Sequence, residues 1–207
     1  MGTADRKARE WARREDEILS AALSLFERDD WQQVTADEIA ERAEVGKGTL
    51  YRHFPSKDEI YARLVLRAQR ERLEVFRQVD TRLPILDRLR ALFRAYWQAM
   101  PRDPALQRLF LYTARYDFRH QLSAETAAEL EALEDAIYAI NLPMLEEGLR
   151  EGVLREQSLP LLQHLVQAAL YGGARWWWTG RAAELDEATY FEAMTDLIIR
   201  GISRSPE

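Results

Sequence analysis

The segment Gly46-Lys47-Gly48-Thr49 contains the residue types that bind phosphate. Glycines let a backbone approach an anion closely, lysine supplies a positive charge, and threonine supplies a hydroxyl group. A nucleotide-binding loop, however, needs the spacing G-x-x-x-x-G-K-[ST] after a β-strand. Here Gly48 follows Lys47, and the position five before Gly46 is Glu41. The spacing excludes a nucleotide loop and leaves open what else these residues bind.

The other chemically reactive residues give little support for catalysis. The chain has no cysteine, which excludes disulfides, cysteine nucleophiles and cysteine metal ligands. Of its three histidines, His120 lies three residues after Asp117. At this spacing on one helix, the two side chains could bind the same metal ion. A di-iron bundle needs two Glu-x-x-His motifs, and the sequence has none. We therefore expect no catalytic residue, no metal site, no cofactor and no enzymatic activity.

Basic residues are concentrated near the N-terminus. The net charge of the 207 residues is −6, which argues against a protein that coats nucleic acid. Residues 6–14 nevertheless contain five basic residues and one acidic one, and residues 45–57 contain three basic residues and no acidic one. Charge runs are often only a solvated face. Two such clusters in the first quarter of the chain favour a local anionic partner.

Helical periodicity dominates the chain and predicts an all-α protein of about nine helices. Thr35, followed three residues later by Glu38, is a capping box that starts a short helix over residues 36–43. The connection EVGK leads to a second short helix, GTLYRHF. The remaining helices are expected at residues 6–28, 56–80, 84–99, 104–118, 123–152 (kinked at Pro143), 158–179 and 186–202.

The two short helices form a predicted helix-turn-helix, whose second helix can lie in the major groove of DNA. Its apolar anchors are Leu50 and Phe54. Apart from Leu50 and Gly48, all residues from Lys47 to His53 have side chains that end in a hydrogen-bonding group, and none of them is acidic. Lysine and arginine bind phosphates or guanine edges. An ordinary helical hairpin with a solvated face is the alternative. The asymmetry of charge favours DNA.

The stretch VTADEIAERAEVGKGTLYRHFPSKDEIYARLV, residues 34–65, resembles the DNA-binding domain of the tetracycline-repressor (TetR) family, and the resemblance extends over residues 18–65. The resemblance implies an all-α homodimer whose first three helices bind an operator. It also implies a divergent C-terminal domain that binds a small ligand, which usually releases the DNA. We accordingly expect a DNA-binding domain over residues 1–55 and a ligand-binding and dimerisation domain over residues 56–207. By the same matching, the DNA-facing residues are Thr35, Lys47, Thr49, Tyr51, Arg52, His53 and Lys57.

Three positions depart from the pattern of the family. Glu44 stands in the turn where glycine is usual, and glutamate tolerates a positive φ poorly. Gly46 stands where serine usually caps the recognition helix, and Ala36 replaces a threonine that often follows Thr35. These departures affect details of the turn and of one phosphate contact.

The last two helices are expected to form a dimer face. Two glycines within the predicted helix at residues 158–179 make sense where another helix approaches closely. Three consecutive tryptophans, Trp176 to Trp178, cannot all face one core, so at least one faces a partner or a pocket. The alternative is an intramolecular core. The expected dimer residues are Leu162, Val166, Gly173, Trp177, Met194 and Ile198.

The resemblance places a ligand cavity among the middle helices. It would be apolar, lined by aromatic residues, and would bind a hydrophobic small molecule of fatty acyl or aromatic character. The pattern GGARWWWTG looks like members that respond to fatty acyl compounds. An aromatic stripe is otherwise more often core than ligand site. The expected ligand-binding residues are Phe93, Tyr96, Trp97, Phe110, Tyr116 and Asn141.

The interpretation we favour is a cytoplasmic, ligand-responsive repressor that leaves a palindromic operator when it binds its ligand. The alternative is a helical small-molecule-binding protein or enzyme in which the hairpin is only structural, and an activator is equally compatible with the sequence. The charged N-terminus lacks an apolar signal segment, and no apolar run is long enough to span a membrane. The basic arm at residues 6–14 either extends the first helix toward DNA or is a solvated tail.

Overall fold

The computed structural model describes residues 2–204. Within this range the chain forms α-helices and no β-strand, which confirms the expected fold class. Two short 3-10 turns lie at Trp31–Gln33 and Phe118–Gln121. The nine α-helices of the described range are α1 (Thr3–Phe26), α2 (Ala36–Arg42), α3 (Lys47–His53), α4 (Lys57–Arg77), α5 (Ile85–Gln98), α6 (Pro104–Thr113), α7 (Ala124–Arg150), α8 (Leu159–Trp178) and α9 (Glu187–Ile202).

Side-chain caps fix several helix starts. Thr35 caps α2 by accepting from the backbone N–H of Glu38, while Glu38 accepts from the N–H of Thr35, so the predicted capping box is confirmed. Asp186 caps α9 by accepting from the N–H of Thr189 at 2.9 Å, also as predicted. Asp103 caps α6, with a proline at its first position. Each cap satisfies backbone donors that the helix itself leaves unpaired.

The helix α6 is shorter than the sequence predicted. It ends at Thr113 instead of residue 118, and Asp117 and His120 then lie in or beside a 3-10 turn. The guanidinium of Arg115 donates to both carboxylate oxygens of Asp117, at 3.2 and 3.0 Å, and this local pair lies in the turn that follows the helix. The expected α-helical spacing of Asp117 and His120 is therefore wrong.

The chain divides into two compact units. Unit 1 contains the residues up to Ala68 together with Pro101–Leu130, and unit 2 contains Gln69–Met100 together with the residues from Glu131 onward. The helix-turn-helix thus shares a unit with α6 and the start of α7. The expected domain boundary after residue 55 concerns where the DNA-binding part ends, and it stays a prediction.

The core of unit 1 is aromatic. The ring of Tyr61, on α4, lies edge-on to Phe26 at 5.0 Å and to Tyr112 at 5.4 Å. Arg108, on α6, donates to the carbonyls of Phe26, Glu27 and Arg28 at 3.4, 3.2 and 3.0 Å. Because α1 has no basic residue in its own last turn, Arg108 supplies the positive charge that the C-terminus of a helix favours.

The core of unit 2 is built on α5, α8 and α9. The indole N–H of Trp97 donates to the hydroxyl of Thr195 at 2.8 Å, and the ring stacks on Phe191 at 4.8 Å. A Cβ built on Gly173 would lie 3.0 Å from the terminal methyl of Met194 and 3.1 Å from the Trp97 ring. The predicted close approach of another helix is confirmed at Gly173, by neighbours of the same unit, but not at Gly172, where a built Cβ meets nothing within 4 Å.

No helix within residues 2–204 combines the length and the apolar character that crossing a membrane requires.

Candidate nucleic-acid interface

The turn between α2 and α3 keeps its shape although it lacks the usual glycine. Glu44 adopts φ +53°, the left-handed conformation. This conformation costs a non-glycine residue roughly 1–2 kcal/mol. The next residue, Val45, donates its backbone N–H to the carbonyl of Ala40 at 2.9 Å, which closes the turn. The sequence departure at Glu44 is thus absorbed as local strain rather than as a different turn.

Helix α3 has one buried and one exposed side. Leu50 and the following Phe54 are 1% and 2% exposed and anchor the helix in unit 1. Tyr51 is half exposed, and Lys47 and Arg52 are exposed on the other side. An exposed helix surface with a phenol, an ammonium and a guanidinium group can donate hydrogen bonds to phosphates and to base edges.

Thr35 lies at the start of α2, on the surface of unit 1. Its hydroxyl donates to the Glu38 carboxylate at 2.8 Å, and Arg28 donates to the same carboxylate at 2.9 Å. The backbone N–H and hydroxyl of Thr35, with help from Arg28, lower the pKa of Glu38 to about 2. The carboxylate is therefore ionised at neutral pH and holds the cap in place.

Two of the expected DNA-facing residues of α3 make polar contacts to neighbours. The ammonium group of Lys47 donates to the Asp37 carboxylate at 2.5 Å, and this bond raises the pKa of Lys47. Arg52 donates to the hydroxyl of Thr49 at 3.2 Å. All of these side chains remain at the surface or near it, so a phosphate can compete for the two cations.

Lys57 and His53 point to the protein rather than away from it. Lys57 donates to the carbonyls of Gln32 and Val34 at 2.6 and 3.0 Å, and burial lowers its pKa. The ring of His53 stacks on Trp11 at 3.7 Å between centroids, and burial lowers its pKa too. These contacts suit positioning roles, because the lysine steadies the turn before α2 and the histidine joins α3 to α1.

The basic arm at residues 6–14 is helical. It forms the first turns of α1, which runs without a break from Thr3 to Phe26, so the arm does extend the first helix. Its residues 6–13 are exposed, and a contact with DNA stays a prediction. Trp11 in this arm was missed by the sequence analysis. A lone aromatic residue in a charged helical segment was the available signal, but its partner on α3 is 42 residues away.

The expected ligand-binding residues belong to both units. In unit 2, Phe93 is fully buried, Trp97 is 4% exposed, and Tyr96 lies under the guanidinium of Arg72 at 4.9 Å. Asn141 is 5% exposed, and its side-chain oxygen is buried without a hydrogen-bond partner. In unit 1, Phe110 is buried, whereas Tyr116 is 92% exposed in the turn after α6.

The expected dimer residues mostly lie in the core of unit 2. Leu162, Val166, Gly173 and Ile198 are buried, and Trp177 and Met194 are half-buried. The exposed apolar face of the same two helices lies next to this buried face, about a quarter turn around each helix axis. Its apolar members are Leu161, Leu165, Trp176 and Leu197, which are 50–65% exposed.

No group of three or more His, Cys, Asp or Glu side chains in the described part of the chain is placed to hold a metal ion. Asp117, one half of the sequence candidate, is paired with Arg115, which lowers its pKa.

A helix-turn-helix with a basic, exposed second helix is an arrangement by which proteins bind the major groove of DNA. Residues 18–64 match the family model described as bacterial regulatory proteins, tetR family. The repressor KstR of Rhodococcus jostii is 29% identical over the whole chain and 92% of its own length. The activator FasR of Mycolicibacterium smegmatis is 28% identical over 93% of this chain and 84% of its own.

The fold agrees with these matches. A crystal structure of a tetR-family bacterial regulatory protein from Rhodococcus RHA1 superposes with a TM-score of 0.75 at 18% identity, covering 93% of this chain and 98% of the other. Residues 18–64 carry the tetR-family signature, and the similarity of the whole chain to HTH-type transcriptional regulators indicates a ligand-responsive, DNA-binding regulator of transcription.

Proposed function

We propose that this regulator is a repressor that binds a palindromic operator as a homodimer and leaves it when a hydrophobic small molecule binds. The observation that carries the proposal is the exposed face of α3, where Lys47, Tyr51 and Arg52 surround a helix held by two buried anchors. In a dimer, two such helices would enter successive major grooves about 34–36 Å apart.

Five of the seven expected DNA contacts are proposed to touch the duplex directly: Thr35, Lys47, Thr49, Tyr51 and Arg52. His53 and Lys57 are proposed to act by holding the helices, since the ring of His53 stacks on Trp11 and Lys57 donates to two backbone carbonyls. The end of the DNA-binding domain near residue 55 is part of the same proposal.

The test begins with sequences selected by the protein from random DNA and measured by gel shift. Tyr51→Ala is expected to weaken operator binding by roughly 5- to 150-fold, the usual effect of losing one specific contact. Tyr138→Ala, on α7, is the matched control because Tyr138 is also partly exposed. The affinity of this variant for the operator should equal that of the wild type. A protein that selects no sequence, or equal affinities for the two variants, would contradict the proposal and favour the alternative of a structural hairpin.

The dimer is proposed to use the exposed faces of α8 and α9. On α8, Leu161, Leu165 and Trp176 follow one helical face together with Gly172, where a built Cβ meets nothing within 4 Å. Exposed apolar residues in a row, next to a glycine that gives a second helix room, suit a second copy of the chain. On α9, Leu197 is 65% exposed.

Light scattering tests this face. Leu165→Glu and Leu197→Glu should convert the dimer to a monomer, because each would bury a charge in an apolar contact. Leu185→Glu is the control, since Leu185 is 48% exposed outside the two helices. If the protein remains a dimer with both substitutions, the dimer interface is on another surface.

The ligand is proposed to bind within unit 2 near Asn141, whose buried side-chain oxygen has no hydrogen-bond partner. Buried polar atoms are normally paired, and an exception beside the apolar core residues Ile137, Met144 and Leu145 of the same helix suits a ligand that carries a hydrogen-bond donor. A panel of fatty acyl and aromatic compounds should include molecules that release labelled operator DNA. Asn141→Leu should weaken that response more than it weakens operator binding itself.

The direction of regulation is a separate question, because KstR is named a repressor and FasR an activator. Transcription from a promoter that overlaps the selected operator should fall when the protein is added and recover with ligand. Transcription that rises on addition of the protein would assign an activator. A cytoplasmic location accompanies the proposal, because the operator is chromosomal DNA.

A further inference from the structure

The first turns of α1 lie against the recognition helix. The indole ring of Trp11 and the imidazole ring of His53 are stacked, with 3.7 Å between centroids and 26° between planes. His53 is the last residue of α3. An aromatic stack of this kind contributes more than its buried area alone. It fixes the N-terminal part of α1 beside the helix that faces DNA.

A groove of 480 Å³ lies between the two helices. One wall comes from Lys7, Trp11 and Arg14 of α1, which recur at spacings of four and three residues and therefore share a helix face. The other wall comes from α3 and the turn before it, with Thr49 and Arg52. Three cations thus line one open groove at the edge of the helix-turn-helix.

Acidic residues in and beside the groove reduce its charge but do not cancel it. Glu10 and Glu44 also line it, so the three cations exceed the two carboxylates by one. Arg14 is paired outside the groove with Glu17 at 2.9 Å. Lys7 forms no ion pair within residues 2–204, so its ammonium group is available to an external anion.

We infer that this groove binds the phosphate backbone of the operator, with Lys7 as the main contact and Trp11 as a positioning residue. The inference rests on the proposed function, because the anion is the DNA that α3 reads. The N-terminal turns of α1 are then a third element of the DNA-binding surface, beside the recognition helix. Arg9, on the opposite side of α1, does not line the groove and makes no such contact.

The experiment measures operator affinity as a function of salt for full-length variants. Lys7→Gln should weaken binding and lower the slope of log K against log salt by about 1 per protomer, or about 2 for a dimer. Arg9→Gln is the matched control: it removes the same charge from the same helix, and its slope should stay within error of the wild type.

The role of Trp11 needs a different measurement. Trp11→Ala should weaken operator binding roughly two- to tenfold, the value of an aromatic pair, while Trp11→Phe should restore most of it. His53→Ala should resemble Trp11→Ala, and the double variant should cost little more than either single one, because the two rings act together. Additive losses, or no recovery with phenylalanine, would overturn the positioning role.

The outcomes separate the inference from the proposed function. Equal slopes for Lys7→Gln and Arg9→Gln, with specific binding by the wild type, would overturn the groove and leave the regulator intact. Absence of specific DNA binding by the wild-type protein would overturn both. A lower slope for Lys7→Gln alone would establish the groove.

Discussion

The buried hydrogen bond between Trp97 and Thr195 allows a quantitative prediction. Thr195 is fully buried, and its hydroxyl accepts from the Trp97 indole at 2.8 Å and donates to the carbonyl of Phe191 at 2.9 Å. Valine has nearly the same shape but no hydroxyl. The Phe191 carbonyl keeps its helical bond, so the main loss is the partner of the indole N–H.

A buried donor without a partner costs about 1–3 kcal/mol. In a chain of this length each kcal/mol lowers Tm by about 2–4 °C. We therefore expect Thr195→Val to reduce the free energy of unfolding by about 1–3 kcal/mol. Urea unfolding followed by far-UV circular dichroism measures it, at one fixed protein concentration because a dimer is stabilised by mass action.

A double-mutant cycle isolates the hydrogen bond. Trp97→Phe removes the donor, so Thr195→Val should cost little in that background. An equal cost in both backgrounds, or a cost under about 0.5 kcal/mol in the wild type, would refute the reasoning. The cycle also bears on the expectation that Trp97 binds ligand, since a purely structural Trp97 loses stability without altering the operator-release response of the folded protein.

Three further outcomes follow from unit 1. Thr35 holds the pKa of Glu38 at about 2 in the folded chain against an ordinary value of 4.5, so this carboxylate stabilises the fold above pH 4.5 and loses its effect as pH falls to about 2. The stability advantage of wild type over Glu38→Gln should therefore shrink across that range in acid titrations. Arg108→Gln should reduce the free energy of unfolding by about 1 kcal/mol, measured in urea, because the last carbonyls of α1 lose a charged donor. Glu44→Gly should raise Tm by about 1–4 °C by relieving its positive φ, whereas Glu44→Ala, which keeps a Cβ, should change it little.

Much of the fold could be predicted because its signals are local. The capping box at Thr35 and the Asp186 cap set helix starts through contacts within four residues, and both are confirmed. The end of α6 was missed, since the pair between Arg115 and Asp117 competes locally with a continued helix. Periodicity gives the existence of helices more securely than their ends.

The sequence predicted which residues form the candidate DNA-binding site, but not the direction in which each of their side chains points. The sequence gives the polar face of α3, from Lys47 to His53, because residue types and spacing determine which side chains a short helix presents. It does not give the inward direction of Lys57 and His53, because the partners of both lie far away in the chain. On α8, the sequence places Leu162 and Val166 in an apolar stripe. Because this stripe covers more of the helix than the core of one protomer needs, the sequence leaves open which of its residues are buried within the protomer.

By itself, the sequence determined the class of the protein: an all-α regulator with a helix-turn-helix head and a family signature over residues 18–64. Those conclusions depend on neighbouring residues and on a motif of fixed spacing. Only the tertiary structure decided that α6 joins the DNA-binding unit, that Trp11 stacks on His53, and that Leu165 and Leu197 stay exposed. Each of these is a contact, or a missing contact, between segments distant in sequence, and such contacts are set by the packing of whole helices.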